Sequence, residues 1–198
     1  VIRAVLFDLD GVVRHFDQRN VAAIEVRHGI APGTIEGFAF SSPMIEMVTT
    51  GRMTRRDWIA QVGDLVGNRD AAEEWGRQPF RADLGVLALA DELRAMGLMT
   101  AILTNGTDTI PAEAKALGLH AHFDDIFNSA TIGYAKPDER AFRHVLDALG
   151  VTGRHVFFTD DSPAKLVGAA ALGMPTHHYT DLHGLRGALR NGGVDVEP

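Results

Sequence analysis

Phe7-Asp8-Leu9-Asp10-Gly11-Val12-Val13 closes an apolar run from Val1 to Phe7 that only Arg3 interrupts, so two carboxylates stand one residue apart where a buried strand ends. Residues i and i+2 of a strand share a face, and past the strand's end the chain can turn both carboxylates into one cleft. Gly11 permits the sharp exit. Alone, the segment also reads as a solvated acidic turn, and D-x-D-G occurs in calcium loops. A calcium loop needs further oxygen ligands and a closing Glu between two helices, whereas a strand precedes this motif.

Outward from this stretch, the chain beyond residue 82 repeats one pattern: helix, short apolar strand, polar turn at the strand's end. That alternation predicts a parallel sheet. A helix is expected from Leu84 to Met96 after Asp83, stopping at Gly97, then a strand over Leu98–Leu103 ending in Thr104-Asn105-Gly106. A helix follows from about Pro111 to Leu117, and a weaker strand over Ile126–Ala130. Gly133 to Pro137 leads into a helix over Glu139–Leu149, capped by Asp138 and ended by Gly150. The clearest strand, His155–Thr159, runs into Asp160-Asp161, where Ser162 and Pro163 give an N-cap and a first-turn proline, with Gly173 past the helix end. A last strand over Thr176–Tyr179 and a short helix after Asp181 complete the pattern. Residues 14 to 82 read differently, as helices without strong strands between them. Thr54 and Asp57 resemble a capping box, Trp58, Ile59, Val62, Leu65 and Val66 form a helical stripe up to Gly67, and another helix spans about Asp70 to Gly76.

The 198 residues suffice for one core plus a modest second unit. Acidic residues number 26 against 19 basic ones, which are scattered, so nucleic acid is not an expected partner. The absence of cysteine excludes disulfides, zinc-thiolate sites and a thiol nucleophile, and fits a cytoplasmic protein. No apolar stretch has the length of a membrane span, and Asp8 and Asp10 stand where a signal peptide needs its apolar region. A chain opening at Val1 is expected to have lost an initiator methionine or a tag. The oligomeric state cannot be read.

Four segments share one address, the carboxyl end of a sheet strand, where open α/β folds place ligands: Asp8 with Asp10, Thr104 with Asn105, Lys136, and Asp160 with Asp161. Singly, each has a plain explanation as a turn, a surface amine or a helix cap. Together they match one chemistry. A carboxylate attacking the phosphorus of a dianionic ester needs a divalent cation and a fixed amine to offset the charge. Asp8 and one of Asp160 and Asp161 can hold Mg²⁺, Lys136 supplies the fixed charge, and Thr104 and the backbone N–H groups of Asn105 and Gly106, entering the next helix, suit phosphate oxygens.

D-x-D-G-V at residues 8 to 12, T-N-G at 104 to 106, G-x-x-K-P-D from Gly133 to Asp138 and D-D-S-P at 160 to 163, in that order, resemble the haloacid dehalogenase-like hydrolases, in the branch with a small helical cap. The resemblance covers nearly the whole chain. It implies a three-layer α/β/α core with a Rossmann-like parallel sheet, formed by residues 1–13 and 83–198, and a cap inserted at residues 14–82. It further implies Asp8 as nucleophile, Asp10 as general acid/base, phosphate contacts from Thr104, Asn105 and Lys136, and Mg²⁺ held by Asp8, the main-chain oxygen of Asp10, Asp161 and, directly or through its neighbours, Asp160. Where many relatives carry a carboxylate or asparagine one helical turn later, this chain has Lys165, whose ammonium is unfavourable close to the metal unless it points away.

The implied activity is hydrolysis of a small phosphate monoester, a sugar phosphate or similar metabolite. A phosphomutase, a haloacid dehalogenase and a non-catalytic phospho-ligand-binding module are the alternatives. The retained Asp10, Asp160 and Asp161 favour phosphoryl transfer over halide displacement, which has no dianion to neutralise. Substrate selection is expected from the insertion, with Arg14, His15, Arg52 and Arg55 as polar candidates, while the nine histidines and the Trp58 stripe read as surface or core residues.

Overall fold

Val5 and Phe7 face one side of the first strand, Ala4 and Leu6 the other, and all four are fully buried, so this strand lies between two packed layers. The computed structural model describes residues 1–198. The chain runs through β1 (Ala4–Phe7) and β2 (Arg14–Phe16) into five helices, α1 (Arg19–Arg27), α2 (Thr34–Ala39), α3 (Met44–Thr49), α4 (Arg55–Val66) and α5 (Arg69–Gly76), and returns by β3 (Phe80–Ala82). Alternation follows: α6 (Leu84–Ala95), β4 (Met99–Thr104), α7 (Ile110–Ala116), β5 (Asp125–Asn128), α8 (Ser129–Ile132), α9 (Glu139–Leu149), β6 (Val156–Asp160), α10 (Pro163–Ala171), β7 (Thr176–His178) and α11 (Leu182–Asn191).

Five strands form one parallel sheet in the order β5-β4-β1-β6-β7. The chain builds outward from β1 to β5 on one side, then crosses to β6 and β7 on the other. Strand order therefore reverses around the carboxyl end of β1. The layer holding α6, α7 and α11 packs Val86, Leu89, Leu93 and Leu185 on one face, and α9 and α10 pack Phe142, Val145 and Ala169 on the other. This is the expected three-layer α/β/α arrangement.

Local signals placed most elements within a residue or two. Asp83 caps α6 by accepting from the N–H groups of Gly85 and Val86, and Asp138 caps α9 by accepting from Arg140, with Gly150 in the left-handed region closing it. Thr54 Oγ accepts from the Asp57 N–H as the capping box requires. Three expectations need correction. Ser129 and Ala130 belong to α8 rather than to a strand, Ser162 stands at the N-cap of α10 without a side-chain cap bond, and the helix after Asp181 runs ten residues.

Residues 14 to 82 are not wholly helical. β2 and β3 pair antiparallel, Arg14 opposite Ala82 and Phe16 opposite Phe80, making a ribbon where the chain leaves and re-enters the sheet unit. Between them the helices enclose their own core of twelve residues, among them Ile24, Ile35, Val62, Trp58 and Trp75. No helix is long and apolar enough to cross a membrane.

Candidate active site

Asp8 is the first residue past β1, and its N–H donates to the Thr159 carbonyl of the neighbouring strand at 2.9 Å. The Leu9 N–H donates to Asp8 Oδ1 at 2.7 Å and fixes the carboxylate. The chain then doubles back: the N–H groups of Val13 and Arg14 both reach the Leu9 carbonyl, and Gly11 donates to the Arg14 carbonyl. Gly11 has φ +89°, and a Cβ there would lie 2.1 Å from Asp161 Oδ2, so any side chain at this position would displace Asp161.

Lys136 reaches the same point from the loop after α8. Its backbone N–H donates to Asn105 Oδ1 at 2.8 Å, and Asn105 Nδ2 donates back to its carbonyl at 2.8 Å. Its ammonium, with no exposed side-chain surface, donates to Asp8 Oδ1 at 2.8 Å and to Asp160 Oδ2 at 2.7 Å. Burial by itself would discharge this amine, but the two carboxylates outweigh burial and hold it above the usual lysine range. For Asp8 the balance goes the other way. Burial, opposed by Lys136, pushes its carboxyl up to about 6.

Asp160, fully buried, also accepts from the Ser162 N–H at 2.9 Å. Asp161, beside it, is exposed, and one carboxylate oxygen from each of Asp8, Asp160 and Asp161 lies within 4.8 Å of the others. Asp8 Oδ2 is buried and has no hydrogen-bond partner. A set of three oxygen donors, all carboxylates, fits a hard divalent cation, Mg²⁺ above all. The Asp10 carboxylate lies outside this cluster, bound to Arg14 instead. The Lys165 ammonium points in, 3.9 Å from Asp8 Oδ2.

Asp10 turns toward the insertion. Arg14 grips it with Nε to Oδ1 at 2.5 Å and Nη2 to Oδ2 at 2.9 Å, and its Nη1 pairs with Glu113. The guanidinium is almost fully buried, with Phe16 and Phe80 rings about 5 Å from its carbon. Asp10, Arg14 and Glu113 thus form one wall of a cavity of about 240 Å³ between the sheet unit and the insertion. Asn105, Gly106 and Thr107 line the same cavity.

The structure therefore brings Asp8, Lys136, Asp160 and Asp161 together, with Thr104 buried at the end of β4 beside the β1 terminus and Asp10 at the cavity mouth of the same turn. It revises several details. The Gly106 N–H is committed to Ser129 Oγ at 3.0 Å, the Asn105 side chain holds the Lys136 loop, and α7 begins only at Ile110. Of the four polar candidates in the insertion, Arg14 and Arg55 line the cavity, His15 binds Asp83 at 2.9 Å, and Arg52 lies in a separate cleft beside Lys136 and Tyr134. Trp58 is core and cavity wall at once. Glu113 and Ser129 were not anticipated, since neither stands in a motif and their partners are far away in sequence.

A family model described as haloacid dehalogenase-like hydrolase matches residues 2–173. Among curated proteins, the chain is 28% identical over 192 residues to the phosphatase MT3486 of Mycobacterium tuberculosis, covering 87% of this chain and 85% of that protein. It is 27% identical over 188 residues to the sesquiterpene phosphatase astK of Aspergillus oryzae, covering 90% of each. Among solved structures, the HAD family enzyme bt-2542 of Bacteroides thetaiotaomicron, in complex with magnesium and inorganic phosphate, superposes with a TM-score of 0.76 at 21% identity, covering 93% of this chain and 99% of that one. At that identity the likeness is one of fold.

Proposed function

We propose, for a chain that belongs to the haloacid dehalogenase-like hydrolases, the Mg²⁺-assisted hydrolysis of a small phosphate monoester through a phosphoryl group carried on Asp8. The observation that carries this reading is Asp8 Oδ2, a buried carboxylate oxygen without a hydrogen-bond partner, beside two ammonium groups and two further carboxylates. Phosphatases among the relatives support the reaction class.

In this mechanism Asp8 Oδ2 attacks phosphorus while the bond from phosphorus to the ester oxygen breaks. Asp10, facing the cavity where the leaving group lies, gives that oxygen its proton. Water then attacks phosphorus, Asp10 takes its proton, and the bond from phosphorus to Asp8 breaks to release inorganic phosphate and restore the carboxylate. Lys136 holds Asp8 in place through Oδ1, leaving Oδ2 free to react. Mg²⁺, when held by Asp8, Asp160 and Asp161, supplies positive charge against the dianionic ester. Residues 14–82 act as a cap over a core of residues 1–13 and 83–198, admitting the ester and shielding it from water. The substrate is a small phosphorylated metabolite, and a cysteine-free chain suits a cytoplasmic setting for this work.

With Mg²⁺ and a panel of phosphate esters, the protein is expected to release phosphate. Asp8→Asn should abolish both turnover and covalent labelling. Asp10→Asn should slow turnover by roughly 10²- to 10⁴-fold while still allowing some labelling of Asp8 from an ester with a good leaving group. Phosphopeptide mapping decides the point, because label on another residue, or none with turnover intact, contradicts the mechanism.

A further inference from the structure

The leaving-group cavity has an unusual charge balance. Its lining carries four carboxylates, Asp10, Asp17, Glu36 and Glu113, against two guanidinium groups, Arg14 and Arg55. Both arginines are already spoken for. Arg14 is divided between Asp10 and Glu113, and Arg55 donates to the Gly76 carbonyl and stands 4.0 Å from Glu113. Glu36 makes no ion pair, and burial, with Glu25 nearby, lifts its carboxyl above the usual range. A substrate with a second anionic group would therefore meet no free cation and an excess of carboxylates. Pairing it would require breaking a contact that is itself buried, a cost that discriminates strongly between ligands.

The opposite wall is aromatic. Phe40, Trp58 and Trp75 have ring centroids 5.0 to 6.3 Å apart, with Trp75 edge to face against the other two and Phe40 tilted against Trp58. Rings in mutual contact leave no space between them for an ammonium group and so make a continuous apolar wall, not a cage for a cation. Ile45 and Val48 extend it. At about 240 Å³ the cavity lies below the roughly 300–1,000 Å³ of drug-sized pockets, which sets the leaving group at a short chain or a single ring.

On the phosphatase reading above, we infer that the leaving group carries no second anionic group and packs an apolar face against this wall, so that short alkyl or aryl phosphate monoesters are preferred over phosphorylated acids. The phosphate is handled at the strand ends and the rest of the molecule by burial against the aromatic wall.

The test compares esters whose leaving groups are chemically alike at the ester oxygen, n-hexyl phosphate and 5-carboxypentyl phosphate, with acetyl phosphate alongside. Hexyl phosphate should exceed the carboxylated ester in kcat/KM by about tenfold or more, the scale of a lost apolar contact or an unpaired charge. Phe40→Ser, at a ring that is 52% exposed and so replaceable without unfolding, should lower kcat/KM on hexyl phosphate more than on acetyl phosphate. A carboxylated ester that equals or beats hexyl phosphate overturns the inference and leaves the phosphatase reading standing, as does an equal loss on both substrates in the Phe40 variant. Release of phosphate from none of them, acetyl phosphate included, removes the phosphatase reading itself.

Discussion

Asp8 presents its two oxygens to different tasks. Oδ1 is occupied by Lys136 and the Leu9 N–H, while Oδ2 is free of hydrogen bonds but has Lys165 at 3.9 Å. Lys165 is about one-third exposed, so it can swing away, yet every metal ion drawn to Asp8, Asp160 and Asp161 must first be reconciled with its charge. At a partly solvated distance such repulsion is worth on the order of 1 kcal/mol. Lys165→Met is therefore expected to tighten Mg²⁺ binding by about fivefold, measured by calorimetric titration of the purified protein. Weaker binding in the variant would show instead that Lys165 helps to assemble the site. Spacing alone could place Lys165 one helical turn past Asp161 but could not say which way its side chain points.

At the scale of elements, what the sequence disclosed depended on how local each signal was. α9 was legible end to end because its cap, its stripe and its terminal glycine are all within the segment. The β2–β3 ribbon was not, because each strand has three residues and its partner lies more than sixty positions away, as Arg14 and Ala82 do. Arg14, a candidate substrate contact on sequence, stands on that ribbon and links Asp10 to Glu113, a residue that no motif contains. The carboxylates were readable because β1 and β6 run straight into them, and Lys136, which follows α8 rather than a strand, because it stands in a motif of its own, G-x-x-K-P-D. Glu113 also supplies a pH signature. Burial raises its carboxyl, but bonds from Thr109 and Arg14 outweigh this and hold it below the ordinary value of 4.5. Its stabilising contribution is thus fully present above 4.5 and lost as pH falls through the depressed value. The Tm of wild type should exceed that of Glu113→Gln near neutrality, with the gap narrowing as the pH is taken below 4.5. A gap that stays constant or widens in acid would mean that the side chain acts by packing alone.

For the whole molecule, the decisive fact is that the hydrophobic interior is divided. The twelve buried apolar residues of the insertion all lie between Val21 and Trp75, and none belongs to the clusters flanking the sheet. The two units meet through a few polar contacts, chiefly the Arg55 N–H on Asp108 at 2.7 Å and the arginine pairs on Glu113, and through the close approach of Gly51 to the Ala130 carbonyl. Only the β2–β3 ribbon joins them covalently. A cap that opens to exchange ligands needs this arrangement, since an interior shared across the cleft would have to be broken at each opening. Separate interiors also imply separate local stabilities. Val62, fully buried in the insertion, offers the test, because Val62→Ala removes apolar contacts there at a cost on the order of 2 kcal/mol without touching the sheet. Native-state hydrogen exchange should quicken for the amides of α4 and α5 and stay unchanged for those of β1, β4 and β6. Equal acceleration in both sets would mean that insertion and sheet unfold as one cooperative body, and the reading of residues 14–82 as an independently moving cap would have to be given up.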